Sequence, residues 1–535
     1  MNRGMLSIFL TIWSVLGCSA QPGRTVFEPV RFADGKAVLQ EVLPDGGTDS
    51  DQSGQRDSVR RARALQAWDN SSLTADYSQR IVLGDEQVAE LLDMDDFLAE
   101  RIVDQEDTLE RISHLSAFLR MELKGLPAGL PVERIDLIPT DGLWPERATY
   151  SQNEWTVTDG TLSKALPGVA VQTDGSIVYW LATVPMDWSQ AAFAAVVHAG
   201  DGRTWSVRLP GIDLQAGTAY RWTGTCLTSE ASAAGLKATP LPQTLLSIEP
   251  GEYSGITYIS GSRYAVVDDN LKGGGIVLFS IPISSDGSVG TVSMKPADGT
   301  TKATGKARDC EGIAYVPSTG TLYVSTEKQE IRAYDLSGRE TGHALKVPDD
   351  LKNIESNRGF EAFTFSAATG LFWTTTEAPL KADTFLPRLL RLQCFNAQGE
   401  PAGRYFYQTG EATRTSAGTT AYVFGIPALT ALDDGRLLVL EREVYVPKGG
   451  FWDKLTESFT KTDLYLVDPV HDTAGILRKS LLCSFRTGAL DLANFEGMCL
   501  GPTLPDGRRC LLLIADSQKG SGGLTQEYVK VILLR

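Results

Sequence analysis

Histidine is scarce: there are four in 535 residues, and of the last 280 positions only 343 and 471 carry one. The chain also has no Gly-x-Ser-x-Gly elbow, no His-Glu-x-x-His pair and no Gly-x4-Gly-Lys-Ser/Thr loop. Serine-esterase, zinc-hydrolase, nucleotide-loop and histidine-phosphatase chemistry therefore all lack their residues. Seven cysteines are present, none in a Cys-x-x-Cys or zinc-ligand spacing. Basic residues are outnumbered 50 to 66, for a net charge of -16, which argues against nucleic acid as a partner. Twelve acids and two bases fall between Asp76 and Glu110, so -10 of that excess sits in one N-terminal stretch. Beyond the extreme N-terminus no run approaches the roughly 18 apolar residues of a membrane-spanning helix.

The N-terminus itself reads as an export signal: Arg3, an apolar stretch from Met5 to Leu16, then Val15-Leu16-Gly17-Cys18. The last four residues resemble a bacterial lipobox, which implies acylation of Cys18 and an envelope location, anchored to a bacterial membrane and facing the periplasm or the surface. Export would permit disulfides. The best pair is Cys499 with Cys510, flanking the turn Leu504-Pro505-Asp506-Gly507, and the plainer reading is two small buried hydrophobes.

The organisation expected is a signal (1–18), a polar tether (19–72), a β-sandwich (73–228), a linker (229–243) and a second all-β domain (244–535). Residues 84–110 read as an acidic helix or a polar loop. Short alternating runs bounded by turn residues mark the sandwich as antiparallel: Ala117 to Leu123, Ile135 to Ile138, Ile177 to Leu181 and Phe193 to Val197.

The second domain repeats itself. Five copies of a Glu-Gly-Ile-Ala-Tyr-like run begin at Ser254, Glu311, Glu361, Pro427 and Glu496, and each is answered by an acid after a second apolar run. The answering acids are Asp268, Glu327, Glu377, Glu441 and Asp516, at the even offsets 14, 16, 16, 14 and 20. Strand repeats at this period predict a β-propeller. Five blades are counted, with six left open by the wider spacing of the third and fourth copies. The last copy has three strands, and Thr244 to Ile248 is expected to supply the fourth and close the ring.

In a blade the innermost strand and its antiparallel neighbour share one end, so the two acids of a copy meet at the channel rim. Even offsets suit a period of two. Crowded carboxylates need a cation or a base. Calcium takes oxygen ligands of this kind, for which the candidates are Glu311, Glu327, Glu361, Glu377, Asp268 and Asp516. Arg358, Arg442, Lys328 and Lys519 lie within three residues of a motif acid and suit phosphate. Glu311, Glu361, Glu496 and Glu441 are the catalytic candidates. The competing reading is that these charges pair between blades and only fix register.

Asp309 to Ala314, Gly359 to Phe363, Leu438 to Glu443, Asn494 to Met498, Leu513 to Ser517 and Val267 to Asn270 together resemble the phytase-like family, described by an esterase-like activity of phytase. The likeness spans about 236–535 and implies an exported propeller whose recurring acids carry phosphoester hydrolysis. Ser254 and Pro427 depart from the pattern. Leu119 to Pro127, Asp201 to Val207 and Leu214 to Trp222 resemble the fimbrillin-like domains of Bacteroidetes lipoproteins, which implies an adhesin or assembly module. Two functions follow: a calcium-assisted phosphoesterase, or a non-catalytic surface protein whose propeller mouth binds an anionic ligand, glycan or protein of a cell-surface assembly.

Overall fold

The structure, a computed structural model, describes residues 117–535 except 152–153, 216–218, 229–234, 353, 355–357, 382, 384–387 and 519–524, together with five strands nearer the N-terminus. Those strands are Val26–Ala33 paired with Lys36–Val42, Ala99–Val103 paired with Glu110–His114, and Gln87–Glu90 against Trp144–Ser151. Gln87–Glu90 and Ala99–Val103 thus replace the helix or loop expected there. Cys18 lies outside the described residues, and so does most of the expected tether. No helix among the described residues is long and apolar enough to cross a membrane. The chain divides into two compact units, Met1–Leu227 and Thr228–Arg535.

In the first unit, strands Val132–Pro139, Lys164–Pro167, Ala192–Ala199, Thr204–Pro210 and Leu227–Thr228 form one sheet, and Ala117–Lys124, Ile177–Thr183 and Ala219–Thr225 another. Alternate residues of both sheets meet in one core: Leu119, Met121 and Leu123 from one, Ile135, Leu137, Phe193, Ala195 and Val197 from the other, around Trp222. That is a β-sandwich. One pairing departs from the antiparallel expectation: Ala219–Thr225 runs parallel to Ala117–Lys124. The intervening chain forms most of the other sheet, which is the long crossover that a parallel pair requires.

The second unit is a five-bladed propeller. Four blades are single four-stranded antiparallel meanders whose innermost strands are Tyr253–Ser260, Cys310–Val316, Ala362–Ser366 and Thr419–Ala431. The fifth has Asn494–Thr503, Arg509–Asp516 and Tyr528–Leu534, and its outer edge comes from the beginning of the unit: Ala238–Pro240 and Thr244–Leu245 both pair antiparallel with Tyr528–Leu534. The closing strand therefore starts earlier than Thr244, within the expected linker.

Middle strands are mostly apolar because both of their faces are covered by neighbouring blades. Leu389–Phe395 and Tyr528–Leu534 are buried at every position, whereas the outer strand Glu340–Ala344 is exposed throughout. Each adjacent pair of blades owns one hydrophobic cluster, and the set of five goes fully round, blade five against blade one included: Tyr253, Ile256, Val266 and Phe279 pack on Cys499, Leu512, Ile514 and Val531. The six described cysteines are free. Cys499 faces Leu512 and Cys510 faces Leu533 across the strands, so the two act as buried hydrophobes.

The hairpins within blades rest on Asx turns. In blade two the Asp335 carboxylate accepts from Ser337 N and Arg339 N at 2.8 and 3.0 Å, and Gly338 takes φ 81° to complete the turn. Asn396 does the same work in blade three for Gln398 and Glu400.

Candidate functional site

The innermost strands pass very close to one another, which explains the glycine in the repeated run. A Cβ on Gly255 would lie 2.6 Å from Glu311 O. One on Gly312 would lie 2.7 Å from Glu361 O, and one on Gly497 2.4 Å from Ser254 O. What remains of the channel holds about 10 Å³, the room of one water, between Glu361, Glu496 and the apolar residues of the inner strands. Substrate-sized molecules are excluded from it, so chemistry belongs at its mouth.

Four of the five inner strands carry an irregular register, and Ala362–Ser366 of blade three is regular. Breaks fall between Tyr253 and Ile256, Cys310 and Ile313, Gly425 and Ala428, and Phe495 and Gly497. An extra residue there turns the motif position away from simple alternation, so evenness of the offsets does not decide which side chains face each other. Backbone pairing does: Tyr253 opposes Asp268, Glu327 N donates to Asp309 O, Glu377 N donates to Gly359 O, and Asn494 opposes Asp516. In blade four the residue at this place is Arg442, opposite Gly425.

Glu441, one residue earlier, points the other way. It accepts from Lys479 Nζ at 2.6 Å, from Gly410 N at 2.8 Å and from the Tyr407 hydroxyl, buried between blades three and four. The structure therefore does not bring this catalytic candidate to the channel.

Arg442 instead plugs the mouth, 2% exposed. Its Nη1 donates to Glu496 Oε1 at 2.5 Å and to Asn494 Oδ1 at 2.8 Å. Its Nη2 donates to Glu377 Oε1 and stands 4.0 Å from Glu361 Oε2. Arg358 Nη1 holds the other Glu377 oxygen at 2.7 Å. Burial still pushes the Glu361 carboxyl well above its usual range, with Glu377 adding to the effect and Arg442 opposing it. Glu496 is raised by burial against the pull of Arg442.

Of the expected phosphate binders, Arg442 is thus occupied by carboxylates, and Arg358 is the more accessible. Lys328 is exposed in the turn after Glu327, and Lys519 lies outside the described residues. Glu327, expected as a metal ligand, caps backbone: its two oxygens accept from Arg358 N and Gly359 N, both at 2.8 Å.

On the opposite side of the rim, Asp269, Asp309 and Glu311 form no ion pair with a base among the described residues. Asp269, Asp309 and Glu311 bring carboxylate oxygens within 4.8 Å of one another. Burial pushes Asp269 up to about 9, helped by a hydrogen bond with Glu252 and the charges of Asp516 and Asp268. Burial also raises Glu311 strongly, and the charges acting on it, from Glu496, Asp269, Asp309 and Glu327, are all carboxylates. Asp516 is raised by burial and then by Glu496. Asp309 adopts φ 58°, in the left-handed region that side-chain-bearing residues seldom use. Asp269 and Asp309 are not among the residues the repeat singles out. Their signal was the doubled acid of Asp268-Asp269 and the acid two places before Glu311.

An all-oxygen set of three crowded carboxylates fits a hard cation such as calcium. Asp268 stays beside this group, with its Oδ1 accepting from Asn270 N at 3.1 Å.

Residues 248–518 match the family described as "Phytase-like: Esterase-like activity of phytase". No curated protein matches the chain. Among solved structures, the WD40 β-propeller domain of Doa1 aligns over 55% of this chain and 96% of its own at 9% identity, with a TM-score of 0.26. A streptogramin B lyase aligns over 56% and 98% at 12% identity, with a TM-score of 0.25.

Proposed function

Since this chain belongs to the phytase-like family, we propose that it is a calcium-assisted phosphoester hydrolase working at the propeller mouth on phosphate monoesters such as inositol phosphates. The observation that carries this reading is the division of the rim: a carboxylate group with no base paired to it among the described residues, Asp269, Asp309 and Glu311, facing an arginine-balanced group, Glu361, Glu377, Glu496, Arg358 and Arg442.

Asp269, Asp309 and Glu311 would hold the ion, which supplies Lewis-acid charge beside the phosphate. Arg358, partly exposed and bound to one carboxylate, has donors left to orient phosphate oxygens. Arg442 fixes Glu377 and Glu496 and offsets part of the repulsion among the rim carboxylates. Glu361, whose proton is retained well above the usual range, would donate it to the departing alkoxide as the P–O bond breaks and the attacking water's oxygen bonds to phosphorus, the proton lost by that water passing to solvent.

The test is release of phosphate by the full chain with calcium and with a chelator. Hydrolysis should depend on calcium and be lost in Glu311→Gln. Absence of any phosphoester cleavage, with calcium bound, would sink the enzymatic reading. It would favour a binding propeller, with the sandwich as an attachment module and Cys18 as a membrane anchor. Engagement of both Arg442 Nη atoms by neighbouring side chains is the feature on that side.

A further inference from the structure

Blade four is built longer than the others. Its strands Thr419–Ala431, Leu437–Pro447, Phe459–Val467 and Lys479–Gly488 have 13, 11, 9 and 10 residues. The extension carries an open cleft of about 610 Å³ lined by Thr413, Arg414, Phe459, Lys461, Ser484 and Arg486, with Phe485 completing the wall. That volume is in the range of small-molecule sites.

Its construction is specific. Tyr445 and Phe459 are cross-strand neighbours with stacked rings, centroids 5.5 Å apart. A guanidinium covers each ring: Arg486 lies 3.8 Å from the Phe459 centroid and Arg414 lies 5.6 Å from that of Tyr445. The loop bearing Arg414 is clamped by Glu443, which accepts from Thr413 N, Thr413 Oγ1 and Arg414 N at 2.9, 2.7 and 2.8 Å. The other carboxylate nearby, Asp463, is taken by Lys461 Nζ and Ser484 Oγ at 2.6 and 2.5 Å.

Both local acids are thus satisfied, and neither Arg414 nor Arg486 has a carboxylate partner among the described residues. Stacking fixes the plane of a guanidinium and leaves its edge donors directed outward, the arrangement that receives an oxyanion by paired hydrogen bonds. In a chain of net charge -16, a cleft lined by two unpaired arginines and a lysine runs against the general field.

We propose that this cleft is a binding site for a tetrahedral oxyanion, phosphate or sulfate, free or carried on a small molecule. Arg414 and Arg486 provide both the charge and the hydrogen-bond donors, and Phe459 an apolar floor. The site is separate from the channel mouth and does not depend on calcium or on turnover there.

Calorimetric titration of the full chain with inorganic phosphate, in the presence of a chelator, tests it. Wild type should bind saturably, Arg486→Ala and Arg414→Ala should each weaken binding by about tenfold, and Arg339→Ala on blade two should bind as wild type. Arg486→Lys keeps the charge and loses the planar fork, so it too should bind more weakly, and it remains informative should an alanine variant fail to fold. Sulfate should displace phosphate. The proposal is overturned if wild type shows no saturable binding, if the variants at 414 and 486 bind as wild type, or if acetate displaces phosphate as well as sulfate does.

Discussion

Replacing Arg442 by methionine tests whether the channel mouth is held by charge balance. The side chain is 2% exposed and bridges Glu377 and Glu496, with Glu361 at 4.0 Å. Methionine keeps most of the volume and removes the charge, leaving Glu496 with Asn494 and Glu377 with Arg358. Removing one partner of a buried pair costs about 3–5 kcal/mol. In a propeller of this size, at roughly 2 °C per kcal/mol, that lowers the melting temperature by about 6–10 °C.

The loss should depend on pH, and its sign can be worked out. Without Arg442, which opposes the rise that burial imposes on Glu496, the folded-state pKa of Glu496 climbs further, while in the unfolded chain glutamate titrates near about 4.3. Between those values the folded state holds protons that the unfolded chain has released, so the variant loses stability as pH rises. Melts of wild type and variant at pH 5 and pH 8 should therefore diverge at the higher pH, with Arg442→Lys intermediate because it keeps charge without the fork. A variant melting with wild type at pH 8, or a deficit equal at both pH values, would refute the reasoning.

Two further substitutions separate scaffold from site. Gly312→Ala would set a Cβ 2.6 Å from Phe363 Cβ and Ser325 Oγ. The denaturation midpoint should fall by the equivalent of about 1–3 kcal/mol, and an unchanged midpoint would mean the inner strands are not held this close. Glu441→Gln should lower the melting temperature, since Lys479 would be left buried beside a neutral amide. It should leave calcium-dependent phosphoester release at the wild-type rate, and a collapse of turnover in a folded variant would put Glu441 back among the groups that act on substrate.

The propeller was legible because its repeat has two physical causes that survive in sequence. Middle strands buried on both faces read as mostly apolar runs, and the crowded inner strands demand glycine or alanine beside the motif acid. The rim was less legible. Offset parity assumes regular strands, and the bulges at the inner strand starts break that assumption, which is why Glu441 was expected at a place that Arg442 fills. Asp269 and Asp309 were missed because their grouping with Glu311 joins two blades, and a repeat within one blade carries no information about its neighbour. The arginine-lined cleft left no trace in the repeat at all, since it depends on strand length peculiar to blade four and on a loop, 409–418, that belongs to no copy of the motif.

Pairing of Ala238–Pro240 and Thr244–Leu245 with Tyr528–Leu534 has a consequence for how the ring is made. Each of the first four blades is a local meander that can form as soon as its own residues are available. Blade five cannot be finished until strands separated by nearly the whole domain meet, the slowest kind of contact in a folding chain. Closure should therefore be the late, rate-limiting event. Until it occurs, Tyr528–Leu534 offers an unpaired apolar edge, the point at which two unfinished rings could exchange strands.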